Sequence, residues 1–387
     1  MVSFSAAQRA RFEEIIDAAV ESKATPALSF AISDIDGSVY SYQRGTKVVG
    51  DPTSGRIDDE TVFWWCSQAK LVTSVHRRLT NGHEQGKITF DTPVASILPE
   101  LANPVVVTEQ DPTTRKILAT APAKNAITDD SFLGGEDVAA FFDVLKRELP
   151  GVPLRFEPGT KFAYGFSTDC VGFIVERLSG KTLEQYCQDY IFGPLKMTST
   201  SFCVSPKLKE RLLPLSFRNG DEYAEYLIVM DLDANKDHVF LGGVGLYGTF
   251  PDYLKLTTHL LRLKARSSVR SPILTSASVD ALFEPSLEEA AATTWSTNFS
   301  PLNPHTAHCP DGAAKLSRAL FVNAMDIPGK RRAGSGSFDG WANTVYLIDP
   351  EAGISMVFGT QLSPPADETF CRLYDQLETE LYTTIQD

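Results

Sequence analysis

Two hairpin-like patterns at opposite ends of this chain constrain its fold more than anything between them. Ala27 to Ser33 and Ser38 to Tyr42 alternate in hydrophobicity around the turn Asp34-Ile35-Asp36-Gly37. Asn343 to Ile348 and Ile354 to Gln361 do the same around Asp349-Pro350-Glu351-Ala352-Gly353. Period-two alternation bounded by turn residues reads as strands. Each pair is flanked by an amphipathic helix, one from Ser5 to about Lys23 and one from Asp367 to Ile385. Between them the patterns are mostly helical: Gly135–Leu149, Ser167–Ser179, Thr182–Phe192 and Pro251 to about Leu263. The expectation is an α+β fold, with an antiparallel sheet assembled from both termini, helices against it and a mostly helical insertion. In residue terms, 1–75 plus 235–387 would form the α/β part and 76–234 the helical part of one catalytic unit. Residues 104–130 and 204–240 give no clear period, and 285–312 read as loop.

Composition narrows the function. A net charge of −13 over 387 residues disfavours nucleic acid, which needs a basic footprint. No run of about 18 apolar residues suggests a membrane span, and no secretory signal is visible at the N-terminus. Six scattered cysteines then read as free thiols of a cytoplasmic protein. No metal or cofactor is expected. His305-Thr306-Ala307-His308-Cys309 lacks any metal-site frame. Gly243-Val244-Gly245-Leu246-Tyr247-Gly248 matches a dinucleotide fingerprint but has no βαβ unit around it. It reads instead as a glycine turn allowing close backbone approach.

Chemistry concentrates at Phe63-Trp64-Trp65-Cys66-Ser67-Gln68-Ala69-Lys70, where a helical pattern running to about Asn81 begins. Residues three apart on a helix share a face with Cβ atoms roughly 5–6 Å apart. Hydroxyl and amine can therefore meet, and a serine beside an amine able to take its proton is an activated nucleophile. No nucleophile elbow of the Gly-x-Ser-x-Gly type is present.

Several ordered motifs resemble the serine β-lactamase and penicillin-binding superfamily, most closely its class C branch and the allied esterases and transesterases. Thr61-Val62-Phe63, Ser67-Gln68-Ala69-Lys70, Gly86-Lys87-Ile88 and Asp91-Thr92-Pro93-Val94 resemble the nucleophile region. Phe156-Glu157-Pro158-Gly159-Thr160-Lys161-Phe162-Ala163-Tyr164 followed by Asp169 resembles the second motif, and Gly242-Gly243 and Asp349-Pro350 continue in register. The resemblance implies Ser67 as nucleophile, with Lys70 and Tyr164 sharing the general base and acid roles. The departures also matter. Tyr164-Gly165-Phe166 replaces the lactamase Tyr-x-Asn, and Phe338-Asp339-Gly340 stands where a cationic third motif would be. Both resemble the esterase and transesterase branch, which includes family VIII carboxylesterases and the statin-pathway acyltransferases. Ser67 and Trp341 would then offer oxyanion-hole N–H groups, with Gly340 allowing close substrate approach. Phe338, Trp341 and Tyr247 would line an apolar pocket.

The reading is a carboxylic-ester hydrolase acting on a small-molecule ester or thioester. The alternative is an acyltransferase serving an alcohol of a secondary metabolite. A β-lactamase or peptidase, or a non-catalytic descendant, fits less well.

Overall fold

The structure is a computed structural model describing residues 2–49, 51–75, 88, 91–114, 116–122, 136–220, 222–226, 239–299, 309–310 and 312–386. Its main sheet joins the two ends of the chain. Strands β1 (Ala27–Asp34), β2 (Ser38–Val48) and β3 (Asp51–Arg56) come from the N-terminal part. Strands β11 (Ala314–Leu316), β12 (Phe321–Asn323), β13 (Gly336–Gly340), β14 (Thr344–Asp349) and β15 (Ile354–Gly359) come from the C-terminal part. The order is β11-β12-β13-β14-β15-β1-β2-β3. The two parts meet where β1 pairs antiparallel with β15, Phe30 opposite Phe358. This is the α+β architecture expected.

Every residue of β1, β14 and β15 is buried because helices cover both faces of the sheet. Successive side chains along a strand point to opposite faces. Leu28, Phe30 and Ile32 therefore pack with Phe12 and Ile16 of α1 (Ala6–Glu21) and with Leu377 and Leu381 of α7 (Glu368–Gln386). Ala27 and Ala31 join the opposite core with Leu254, Leu256, Leu260 and Leu261. Those leucines belong to α5 (Phe250–Lys264), which is capped by Thr249. Small residues on that face of β1 let the helix lie close.

The insertion differs in part from its expectation. Helix α2 (Ala69–Ser74) lies just before it; its own helices include α3 (Glu136–Lys146) and α4 (Ser167–Ser179), but two small sheets accompany them. Strands β5 (Val105–Gln110), β6 (Ile117–Pro122) and β7 (Pro153–Leu154) form one. Strands β8 (Leu215–Asn219) and β9 (Glu222–Tyr226) join β16 (Leu362–Ser363) in the other. Strand β5 buries little beyond Val105, so its sequence carries no clean alternation. Helix α4 begins at Ser167, with Phe166 in the cap position and no side-chain cap bond. The stretch expected as loop contains α6 (Glu289–Asn298). The helix expected to run to about Asn81 ends at Ser74 with Val75 as its C-cap; residues 76–81, Gly82 and Gly86, like His305 and His308, lie outside the described residues.

Two contacts fix the sheet against the site. Gln361, just past β15, clamps the backbone of Trp64: its Nε2 donates to the Trp64 carbonyl and its Oε1 accepts from the Trp64 N–H, each at 3.1 Å. Arg331 and Glu378, 3% and 1% exposed, make a bidentate pair at 2.7 and 2.8 Å that ties α7 to the entry of β13. Removing one partner of such a buried pair costs about 3–5 kcal/mol.

Candidate active site

Strand β4 (Val62–Trp64) pairs with β10 (Tyr247–Thr249) and delivers the chain to a tight turn. Trp65 is fully buried against Phe250 and Tyr253, with ring centroids 5.0 and 4.5 Å away. Cys66 then adopts φ +48°, a left-handed conformation that costs a non-glycine residue roughly 1 kcal/mol or more. The turn it makes opens a short 3₁₀ segment, Cys66–Gln68, which runs into α2. Ser67 is thereby placed partly open to the cleft, with Lys70 one turn behind it and 8% exposed.

Ser67 Oγ is the meeting point. Tyr164 Oη donates to it at 2.8 Å and Lys70 Nζ at 3.2 Å. Lys70 Nζ lies 4.7 Å from the Tyr164 ring centroid and also donates to the Gly243 carbonyl at 2.8 Å. Ser67, Lys70 and Tyr164, far apart in the chain, are thus brought together. Burial lowers the Lys70 ammonium from its ordinary value to about 8, with the Asp169 and Asp339 carboxylates pulling the other way. Burial pushes the Tyr164 phenol upward, opposed by its bond to Ser67 and reinforced by Asp339 and Asp169. Burial thus keeps Tyr164 a phenol at neutral pH and brings the Lys70 ammonium closer to neutrality than that of an exposed lysine.

The glycine turn has a definite role. A side chain at Gly242 would press on Thr73 and the Thr168 carbonyl, and a Cβ at Gly243 would lie 2.9 Å from Asp169 Oδ2. Thr73 Oγ1 donates to the Gly242 carbonyl at 2.7 Å, and the Gly243 N–H donates to Asp169 Oδ1 at 2.8 Å. The segment is threaded between α2 and α4, a close approach that its glycines permit.

Around Tyr164 lies a cavity of about 110 Å³. Lys70, Phe162, Phe299, Phe321 and Phe338 are among its lining residues, with Arg318 on the turn between β11 and β12. Phe338 stacks on Phe321 at 4.5 Å, and the Tyr164 ring stacks on Phe299 at 5.0 Å. Phe338, expected to line an apolar pocket, is among the residues lining this cavity. Phe299, at the end of α6, escapes sequence reasoning: that helix buries only Ala291 and Trp295, too few for a visible stripe. The Ala-rich run Glu289-Ala290-Ala291-Ala292 is the signal that could have found the helix.

Two expectations need correction. Tyr247 is fully buried in β10 opposite Trp64, packed in a core with Val62 and Leu212, and does not line the cavity. At Gly340, the space a side chain would need is taken by Thr344 and by the Trp65 carbonyl, which would stand 2.7 Å from a Cβ. This glycine lets the chain's own turn approach β13. Trp341 is 39% exposed, its ring 6.3 Å from that of Trp64. The backbone N–H groups of Ala342 and Trp341 approach the Cys66 thiol, which burial holds protonated. Among the described residues, no helix is long and apolar enough to cross a membrane, and no group of three or more His, Cys, Asp or Glu is placed to hold a metal ion.

Known proteins share this fold, and some share about a quarter of this sequence. The chain is 26% identical to monacolin J acid methylbutanoyltransferase of Aspergillus terreus, across 95% of this chain and 94% of that one. It is 28% identical to lovastatin esterase of Penicillium rubens, across 85% and 86%. Unliganded simvastatin synthase from Aspergillus terreus superposes with a TM-score of 0.79 over 99% of this chain and 100% of that one, at 23% identity. EstCE1, a hydrolase with promiscuous acyltransferase activity, does so at 0.72 over 97% and 98%, at 16% identity. The beta-lactamase family pattern matches residues 12–380, so this chain belongs to the β-lactamase family and is an enzyme of its serine hydrolase superfamily.

Proposed function

We propose that Ser67 attacks the carbonyl of a small carboxylic ester or thioester and carries the acyl group. The observation that carries this reading is the convergence of Tyr164 and Lys70 on one serine oxygen, at 2.8 and 3.2 Å. A serine hydroxyl needs a base in the transition state. Lys70, held to about 8, is neutral in roughly a tenth of molecules at pH 7 and takes the Ser67 proton. Tyr164, kept as a phenol, gives its proton to the departing oxygen and is restored from Lys70. Deacylation runs the same path in reverse, with water or an alcohol as the incoming group. The N–H groups of Ser67 and Trp341 are the proposed oxyanion donors. A protonated thiol is a weak acceptor, so Cys66 competes little for the second.

The cavity supports a short apolar acyl group. At about 110 Å³ it is smaller than a cavity of ~150 Å³ that accepts benzene. Phe338 followed by Asp339, in place of a cation, supports ester rather than β-lactam carboxylate recognition. Hydrolysis is the first reading. Transfer to an alcohol is the second, supported by the acyltransferases among the relatives. Six free cysteines support a reducing, cytoplasmic setting. The test is turnover of p-nitrophenyl butanoate with and without added alcohols. Saturable release of p-nitrophenol with an acyl-enzyme on Ser67 is expected, and the ratio of acid to new ester separates the two readings. Turnover unaffected by loss of Ser67 would refute both.

A further inference from the structure

We propose that Asp169 is a positioning residue for Lys70, acting through the Gly243 peptide. The proposal rests on the reading of Ser67 and Lys70 given above. Asp169 is the third residue of α4 and only 7% exposed. Its Oδ1 accepts from the Gly243 N–H at 2.8 Å, and the carbonyl of that same residue accepts from Lys70 Nζ at 2.8 Å. Thr73, on the helix that carries Lys70, holds the preceding carbonyl, that of Gly242, at 2.7 Å. The segment is thus gripped from both sides, and the grip sets where the lysine's acceptor stands. Without it the Gly243 carbonyl is free to turn away, and Lys70 Nζ loses the partner that keeps it beside Ser67 Oγ.

This arrangement also gives meaning to a departure in the sequence. Tyr164-Gly165-Phe166 stands in place of Tyr-x-Asn, and the Phe166 ring packs against that of Phe141. Here the lysine's acceptor is the Gly243 carbonyl, on a residue whose own N–H is held by a carboxylate five residues after the tyrosine. Glycine is required at 243 because a Cβ there would meet Asp169 Oδ2 at 2.9 Å. The carboxylate has a second effect. Charges acting on Lys70 are Asp169 from α4 and Asp339 from β13, with Cys66 alongside. Of these, Asp169 is the strongest in offsetting the effect of burial on the ammonium.

Two substitutions separate these effects. Asp169→Asn retains an acceptor for the Gly243 N–H but removes the charge. Its kcat should fall less than about tenfold, while the acid limb of its rate–pH profile moves to lower pH by roughly one unit. Asp169→Ala removes both, and kcat for p-nitrophenyl butanoate should fall about 100-fold with KM changed less than threefold. A purely structural role predicts an unmoved pH profile in Asp169→Asn. That result, or a loss seen in KM rather than kcat, overturns the proposal. If Asp169→Ala fails to fold by circular dichroism, the Asn profile alone decides. Failure of the underlying reading is distinct: the wild-type enzyme would then show no acyl mass on Ser67 at any pH.

Discussion

On one side of the cleft, Ser67, Lys70, Gly243 and Asp169 are joined by hydrogen bonds of 2.8–3.2 Å, and Lys70 and Asp169 are buried. On the other, Phe299, Phe321 and Phe338 pack ring against ring, with Trp341 beyond them at the end of β13. Tyr164 belongs to both, its hydroxyl on Ser67 and its ring stacked on Phe299. A small displacement on the polar side changes protonation and reach together, whereas the aromatic side works by filled area. The two should therefore fail differently: substitutions on the first should act on kcat, and those on the second on selectivity.

The largest effect should come from Lys70→Ala, with kcat reduced roughly 10³–10⁴-fold at retained fold. Single-turnover kinetics would expose the error if acylation stayed fast. Tyr164→Phe keeps the ring stack and loses only the hydroxyl; a drop of roughly 10²–10³-fold in kcat is expected, with little change in KM. Near-normal turnover would move Tyr164 wholly to the aromatic side. In the wild-type enzyme, kcat/KM should rise with pH through about 8, because Lys70 must be neutral to accept a proton and is neutral above its value of about 8. A limb near the ordinary lysine value of roughly 10.4 would mean that burial does not tune this lysine. Phe299→Ala should lower kcat/KM for a butanoyl ester about tenfold and shift preference toward longer acyl chains. A chain-length series showing uniform loss would argue against that wall as the acyl pocket. Smallest should be Trp341→Ala, under about threefold in kcat, since its proposed donor is the backbone N–H and its side chain is half-exposed.

How much of this can be read from the sequence follows the same division. Ser67 and Lys70 are legible as a pair because they stand three apart where a helical pattern begins, whereas Tyr164 enters only through the motifs that resemble the family's. Gly242 and Gly243 are legible as a close approach because only glycine leaves such room. The terminal strands are visible through alternation and turns. The aromatic side is only partly legible. Phe338 is placed by its motif, but Phe299 arrives from a helix whose Ala and Thr residues carry no apolar stripe, and Tyr247 reads as a pocket residue when β10 buries it. Aromatic residues fill cores and line clefts alike, and one position along a strand decides which. Strand β5 escapes notice because a mostly exposed strand leaves little pattern.

The most direct test of the central claim is intact-protein mass after a brief reaction with p-nitrophenyl butanoate and acid quench. The account predicts one added butanoyl group, localised by peptide mapping to Ser67, absent in Ser67→Ala and slow to form in Lys70→Ala. An acyl group that persists in Ser67→Ala, or that maps to one of the free cysteines, would contradict it.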